Sequence, residues 1–131
     1  MADAGQRPNG SQACPLCRPS GAEVAHSPFR EVKRLASQYA HENVSLAQCV
    51  GCESLALYYS ADVYDDFWQY WCLIDEAERQ LLTQEGNDPD DSRRPARARA
   101  ILEKHSHLMK GPVRGFEWIP AGFAPIVGPP W

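Results

Sequence analysis

The hydrophobic positions of this chain come in short blocks divided by polar or Pro- and Gly-containing stretches. Residues 1–13 lack any such order and read as a disordered lead-in. Ala22 to Ala25 has the length of a short strand. Ser27-Pro28 then has the form of a helix start, with Ser as N-cap and Pro in the first turn. Phe29, Val32, Leu35, Ala36 and Tyr39 recur at helical spacing, with Arg30, Lys33 and Arg34 between them. That spacing predicts an amphipathic helix ending near His41.

The pattern then changes period. Val44 to Gln48, Ser54 to Tyr59 and Phe67 to Ile74 are short, and the last is rich in β-formers. They predict strands, the last apolar on both faces and therefore central. Asp62 to Asp66 supplies a turn. Asp75 followed by Glu78 is a capping-box pattern, and Ile74, Ala77, Leu81 and Leu82 give that helix a buried side as far as Gly86. After a polar loop, residues 87–94, the segment from Pro95 to Lys110 predicts a third helix, with Ala98, Ile101, Leu102, Leu108 and Met109 inward and Gly111 as its stop. Residues 111–131 hold five prolines and four glycines among Phe116, Trp118, Ile119, Phe123 and Trp131. This stretch is too apolar for a free linker and too broken for a helix. It predicts an extended arm whose aromatic and aliphatic residues bind a partner or the domain itself.

Four of the five cysteines form two C-x-x-C pairs, Cys14/Cys17 and Cys49/Cys52. Two such pairs point to a tetrahedral Zn²⁺ site, because a tight turn with two residues between sulfurs aims both at one ion. Pro15 fixes one backbone angle of the first turn, Gly51 supplies conformational freedom in the second, and Leu16 and Val50 are placed to cover the ion. Other uses of the thiols have requirements of their own. A redox C-x-x-C belongs at a helix start beside a βαβ pattern, disulfides belong with an export signal, and an iron–sulfur centre takes four thiolates as zinc does. Residues 1–12 lack the apolar core of a secretory signal, so the expectation is a reducing, cytoplasmic location.

With strands flanking the second pair, the segment 14–74 resembles the zinc-ribbon class. The resemblance implies a metal and an architecture, not an activity. It departs from compact ribbons in one respect: they join their knuckles through strands, whereas a helix is predicted here. A treble clef, the competing topology, would place a helix directly after the second pair. The expected fold is thus α+β: a small zinc-ribbon-like β-sheet with about three helices over residues 14–110, then the extended C-terminal arm.

Charge changes the functional picture. Residues 53–91 carry eleven acids and one base, whereas 92–131 carry seven bases and two acids. The acidic middle repels phosphate, so a protein partner leads and nucleic acid, through the basic flank of residues 93–104, comes second. No apolar run is long enough for a membrane span. Cys72 reads as a buried small hydrophobe, His105 as a core histidine, His107 as solvent-facing, and His26 and His41 as unneeded for metal. Asp62, Asp65 and Asp66 read as a solvated turn rather than a catalytic carboxylate pair. The expectation is a non-enzymatic adaptor or accessory subunit holding structural zinc.

Overall fold

Residues 44–49, 55–61 and 68–73 are apolar or small on both alternating faces, and the chain places them at the centre of one sheet. In the computed structural model, which describes residues 17, 26–38, 42–63, 66–83, 93–112 and 115–125, six antiparallel strands follow one another in chain order. They are β1 (Phe29–Gln38), β2 (Glu42–Cys49), β3 (Leu55–Val63), β4 (Asp66–Leu73), β5 (His107–Lys110) and β6 (Phe116–Ile119). Two helices, α1 (Glu76–Thr83) and α2 (Arg93–Lys104), sit between β4 and β5. Among the described residues the fold is therefore a six-stranded antiparallel meander with two helices, rather than a small ribbon sheet with about three helices and an extended arm.

Three segments account for the difference. Residues 29–38, expected as a helix, form β1. The strand is irregular in two places, between Glu31 and Lys33 and between Arg34 and Ala36. The extra residues there are Val32 and Leu35. Each bulge adds one residue to a period of two, so the apolar spacing imitates a helix. Val32 lies 58% exposed, whereas Leu35 packs on the core. The bulges and the charges of Arg30, Lys33 and Arg34 also blunt β1 as an edge strand.

The second segment is the end of α2. The helix stops at Lys104 rather than Lys110, and His107 to Lys110 joins the sheet. Leu108 and Met109 are adjacent and both buried, one on each sheet face, which a strand allows. Gly111 is not a helix stop: a Cβ there would meet Trp68 at 2.8 Å, so the glycine permits close approach of backbone to ring. In the third segment, Phe116 to Ile119 of the expected arm pairs with β5 as the sheet's last strand. The expected strand at Ala22 to Ala25 lies outside the described residues.

The helices cover one face of the sheet. Val44, Leu46, Leu57, Tyr59, Tyr70 and Cys72 from the strands meet Leu82, Ala98, Ile101 and Leu102 from the helices. Burying each of Leu57, Leu82 and Leu102 contributes roughly 1.5–3 kcal/mol. The capping box forms as the sequence predicts: the Glu78 amide donates to Asp75 Oδ1 at 2.8 Å, and the Asp75 amide donates to Glu78 Oε1 at 3.0 Å. Leu81, expected inward, is exposed. The buried Arg94 ties three elements, donating to the carbonyls of Leu82 at 2.7 Å and Leu35 at 2.8 Å. Arg99 and Tyr59 both bond Glu42, locking α2 to β2 and β3. No helix of the described residues is long and apolar enough to cross a membrane.

Candidate metal centre

The β2–β3 connection is built as a knuckle. Cys49 ends β2, and the chain reverses through Val50, Gly51, Cys52 and Glu53 before β3 begins at Leu55. The Cys49 amide donates to the Ser54 carbonyl at 3.0 Å, and the Glu53 amide donates to the Cys49 carbonyl at 2.9 Å. Glu53 takes the left-handed conformation (φ 66°) that closes the turn. The Gly51 amide donates to Cys49 Sγ at 3.3 Å. Such amide–sulfur bonds favour a charged thiolate. The Val50 amide donates to the Pro28 carbonyl at 2.8 Å, which brings the chain preceding β1 against the knuckle.

Cys17, which precedes β1 in the chain, completes the geometry. The sulfurs of Cys17, Cys49 and Cys52 all lie within 4.8 Å of one another. Cys17 Sγ and Cys52 Sγ are 3.6 Å apart. Tetrahedral zinc with Zn–S near 2.3 Å requires sulfur separations of about 3.8 Å, and a disulfide requires about 2.05 Å. The spacing therefore suits ligands of a shared ion and not a sulfur–sulfur bond. These three residues form a cluster able to hold a metal ion. Cys14, the fourth ligand expected from sequence, lies outside the described residues.

The setting is apolar. Phe29 stands opposite Cys49 in register, and Ala47, Ala56, Trp71 and Leu108 continue the cluster across the sheet. Burial pushes the Cys49 thiol up from its ordinary range, so a bound cation is what would keep three thiolates together here. Val50, expected to cover the ion, points to solvent at 58% exposure. Leu16 lies outside the described residues. The sulfur of Cys52 instead has Ser54 Oγ beside it at 3.1 Å.

Cys72 takes no part in this cluster. It lies on the helix-covered face of β4, fully buried, where desolvation and then the charge of Glu78 push its thiol far up. The sequence places it correctly as a small core residue. The histidines divide differently from expectation. His107, expected in solvent, is 1% exposed, because it belongs to β5 and not to a helix surface. His105 follows α2 and lies 2.7 Å from Glu78 Oε2 through Nε2.

The apolar residues expected to bind a partner fall on two faces. Phe116 and Trp118 share the sheet face of the cysteine cluster, where Phe116 lies 5.7 Å from Trp71 and Trp71 lies 5.4 Å from Tyr58, ring centre to ring centre. Ile119 and Phe123 border a pocket on the opposite face. Trp131 lies outside the described residues. The aromatic row Tyr58–Trp71–Phe116 was missed from sequence, although Tyr58 and Trp71 stand at alternate-face positions of the two strands that were predicted.

The basic flank is partly consumed. Arg94 is buried on carbonyls, Arg99 pairs with Glu42, and Lys104 lies 3.7 Å from Glu78. Comparison with protein-family models, characterised proteins and solved structures returned no match.

Proposed function

We propose that the protein is a small structural-zinc domain that serves as a protein-interaction adaptor or accessory subunit. Zinc takes Cys17, Cys49 and Cys52, with Cys14 as the fourth thiolate on the grounds of C-x-x-C spacing. Four thiolates close the coordination shell and leave no position for water, so the ion performs no chemistry. The ribbon resemblance is supported by β1 and β2, which lie in sequence between Cys17 and Cys49 as an antiparallel strand pair, as strands join the knuckles of a compact ribbon. A strand, β3, follows the second pair where a treble clef has a helix. A reducing cytoplasmic location suits thiolates held by metal.

The observation that carries the interaction reading is the aromatic row on the sheet face away from the helices. Tyr58, Phe116 and Trp118 are only partly buried there, beside Trp71, and among the described residues no helix residue belongs to that cluster. Partly exposed aromatics in a contiguous row are the composition of interface centres. Four-residue β6 places two of them at the sheet's edge, opposite the blunted β1 edge. The nucleic-acid alternative loses support from the internal bonds of Arg94 and Arg99.

The test is a Phe116→Ala, Trp118→Ala variant, first matched to the parent for zinc content and cooperative melting. Affinity capture from native lysate should then lose a specific protein that the parent retains. A folded, zinc-loaded variant that captures the same partners as the parent would refute the assignment of this face.

A further inference from the structure

The three sulfurs of the cluster are not equivalent. Cys17 and Cys49 are 1% and 0% exposed, whereas Cys52 is half-buried in a turn whose other residues, Val50, Gly51 and Glu53, all face solvent. Cys49 Sγ accepts the Gly51 amide at 3.3 Å and is hydrogen-bonded by the Cys52 amide as well. Amide bonds of this kind hold the charge on a thiolate and lower its reactivity toward electrophiles. Cys52 Sγ has the Ser54 hydroxyl beside it at 3.1 Å. A metal-bound sulfur carries no proton, so in that state Ser54 donates. Exposure and bonding thus both make Cys52 the ligand that an external reagent attacks first.

A second thiolate stands ready behind it. Cys17 Sγ lies 3.6 Å from Cys52 Sγ, about 1.5 Å more than the roughly 2.05 Å bond of a disulfide. Cys17 is itself buried, so it reacts with Cys52 in preference to anything in solution. Glu53, exposed and next in the chain to Cys52, favours an uncharged oxidant over an anionic one.

Resting on the zinc assignment, we infer that the site is a peroxide-responsive switch: Cys52 is oxidised, Cys17 closes a disulfide with it, and the metal is released. The Cys52 thiolate attacks one oxygen of hydrogen peroxide. An S–O bond forms, the O–O bond breaks and hydroxide leaves, so the sulfur gives two electrons to oxygen and becomes a sulfenic acid. The Cys17 thiolate then attacks that sulfur. The S–S bond forms, the S–O bond breaks and a second hydroxide leaves. Two ligands are consumed, and the remaining two cannot close a four-coordinate shell. Cys17 and Cys49 share their apolar cluster with Trp71 and Leu108, which support Phe116 and Trp118. Oxidation therefore loosens the floor of the aromatic face and weakens partner binding there.

The test uses the full chain as purified, its zinc content measured first. Hydrogen peroxide is added, zinc release is followed with a chromogenic chelator, and the acid-quenched, alkylated products are peptide-mapped. About one zinc should leave per peroxide consumed, with Cys17–Cys52 as the first disulfide and the fully buried Cys72 still a thiol. Cys52→Ser removes a ligand and is expected to lose the metal outright, so the informative variant is Ser54→Ala, which keeps every ligand. It should hold zinc as the parent does and release it to peroxide about two- to fivefold faster, because Cys52 loses a donor that restrains its charge. Zinc retained in excess peroxide, a first disulfide within either C-x-x-C pair, or release no faster from Ser54→Ala would each overturn the switch and leave the zinc assignment standing. A chain purified without metal would overturn the zinc assignment itself, and the switch with it.

Discussion

Replacing Gly111 by alanine tests the strand assignment at the point where sequence and structure differ most. The new Cβ would lie 2.8 Å from Cζ3 of Trp68, 3.3 Å from Cε3 and 3.4 Å from Cη2. Carbon atoms rest at about 3.5–4.0 Å, so the ring or the backbone must move by about 0.7 Å. Overpacking of this kind costs about 1–3 kcal/mol. Trp68 is only partly buried and its ring can give way, which places the expected loss near about 1 kcal/mol. In a chain of this size that lowers Tm by about 3–6 °C. Gly115 supplies the control, since a Cβ there has nothing within 4 Å. Gly115→Ala should leave stability unchanged or raise it by up to about 1 kcal/mol through the unfolded chain. Urea melts at fixed zinc concentration measure both. The decisive arm is Trp68→Leu: in that background Gly111→Ala should cost less than about 0.5 kcal/mol, because the clashing atoms are gone. An undiminished cost there would mean that Gly111 is needed for its backbone conformation, and the close-approach argument would fail.

Three further outcomes follow from the same structure. Cys72→Ala should cost about 1 kcal/mol and leave zinc content unchanged, as a small buried side chain outside the metal cluster; loss of metal in that variant would contradict the assignment of faces. Burial holds the His107 ring below its ordinary pKa of 6.5, so the unfolded chain binds the extra proton first. Stability associated with His107 is complete above 6.5 and is lost as pH falls below it, so the parent should weaken more steeply than His107→Gln between about pH 6.5 and 5 in chemical melts; parallel profiles would refute this. Duplex and single-stranded oligonucleotides should show no submicromolar binding at physiological salt, as Arg94 and Arg99 are engaged internally; binding that persists at higher salt and is lost on Arg97→Ala would reverse the order of partners.

The strands β2, β3 and β4 and the start of α1 were legible because each had one dominant local signal. Alternation or an aromatic block marked the strands, and the Asp75–Glu78 reciprocity marked the helix. The β1 strand was hidden by its bulges, which spaced Phe29, Val32 and Leu35 like a helix face. β5 was hidden because Leu108 and Met109 extend the α2 stripe without a break; only pairing to Gln69, Tyr70 and Trp71 of β4 decides for a strand, and that is a non-local fact. β6 was hidden by the surrounding prolines and glycines. The approach of Cys17 to Cys49 and Cys52 was legible from C-x-x-C spacing alone, whereas Cys14 lies outside the described residues. The pocket was not legible: it depends on β6 and on the burial of His107, and neither had a local signature.

The most direct test of the account is metal analysis of protein purified without added metal, read together with folding. The account predicts about one zinc per chain, and cooperative unfolding when a strong chelator removes it. Cys49→Ser should lose both the zinc and the melt, and Cys72→Ser should keep the zinc. A cooperatively folded, metal-free protein whose Cys14, Cys17, Cys49 and Cys52 all titrate as thiols would contradict it.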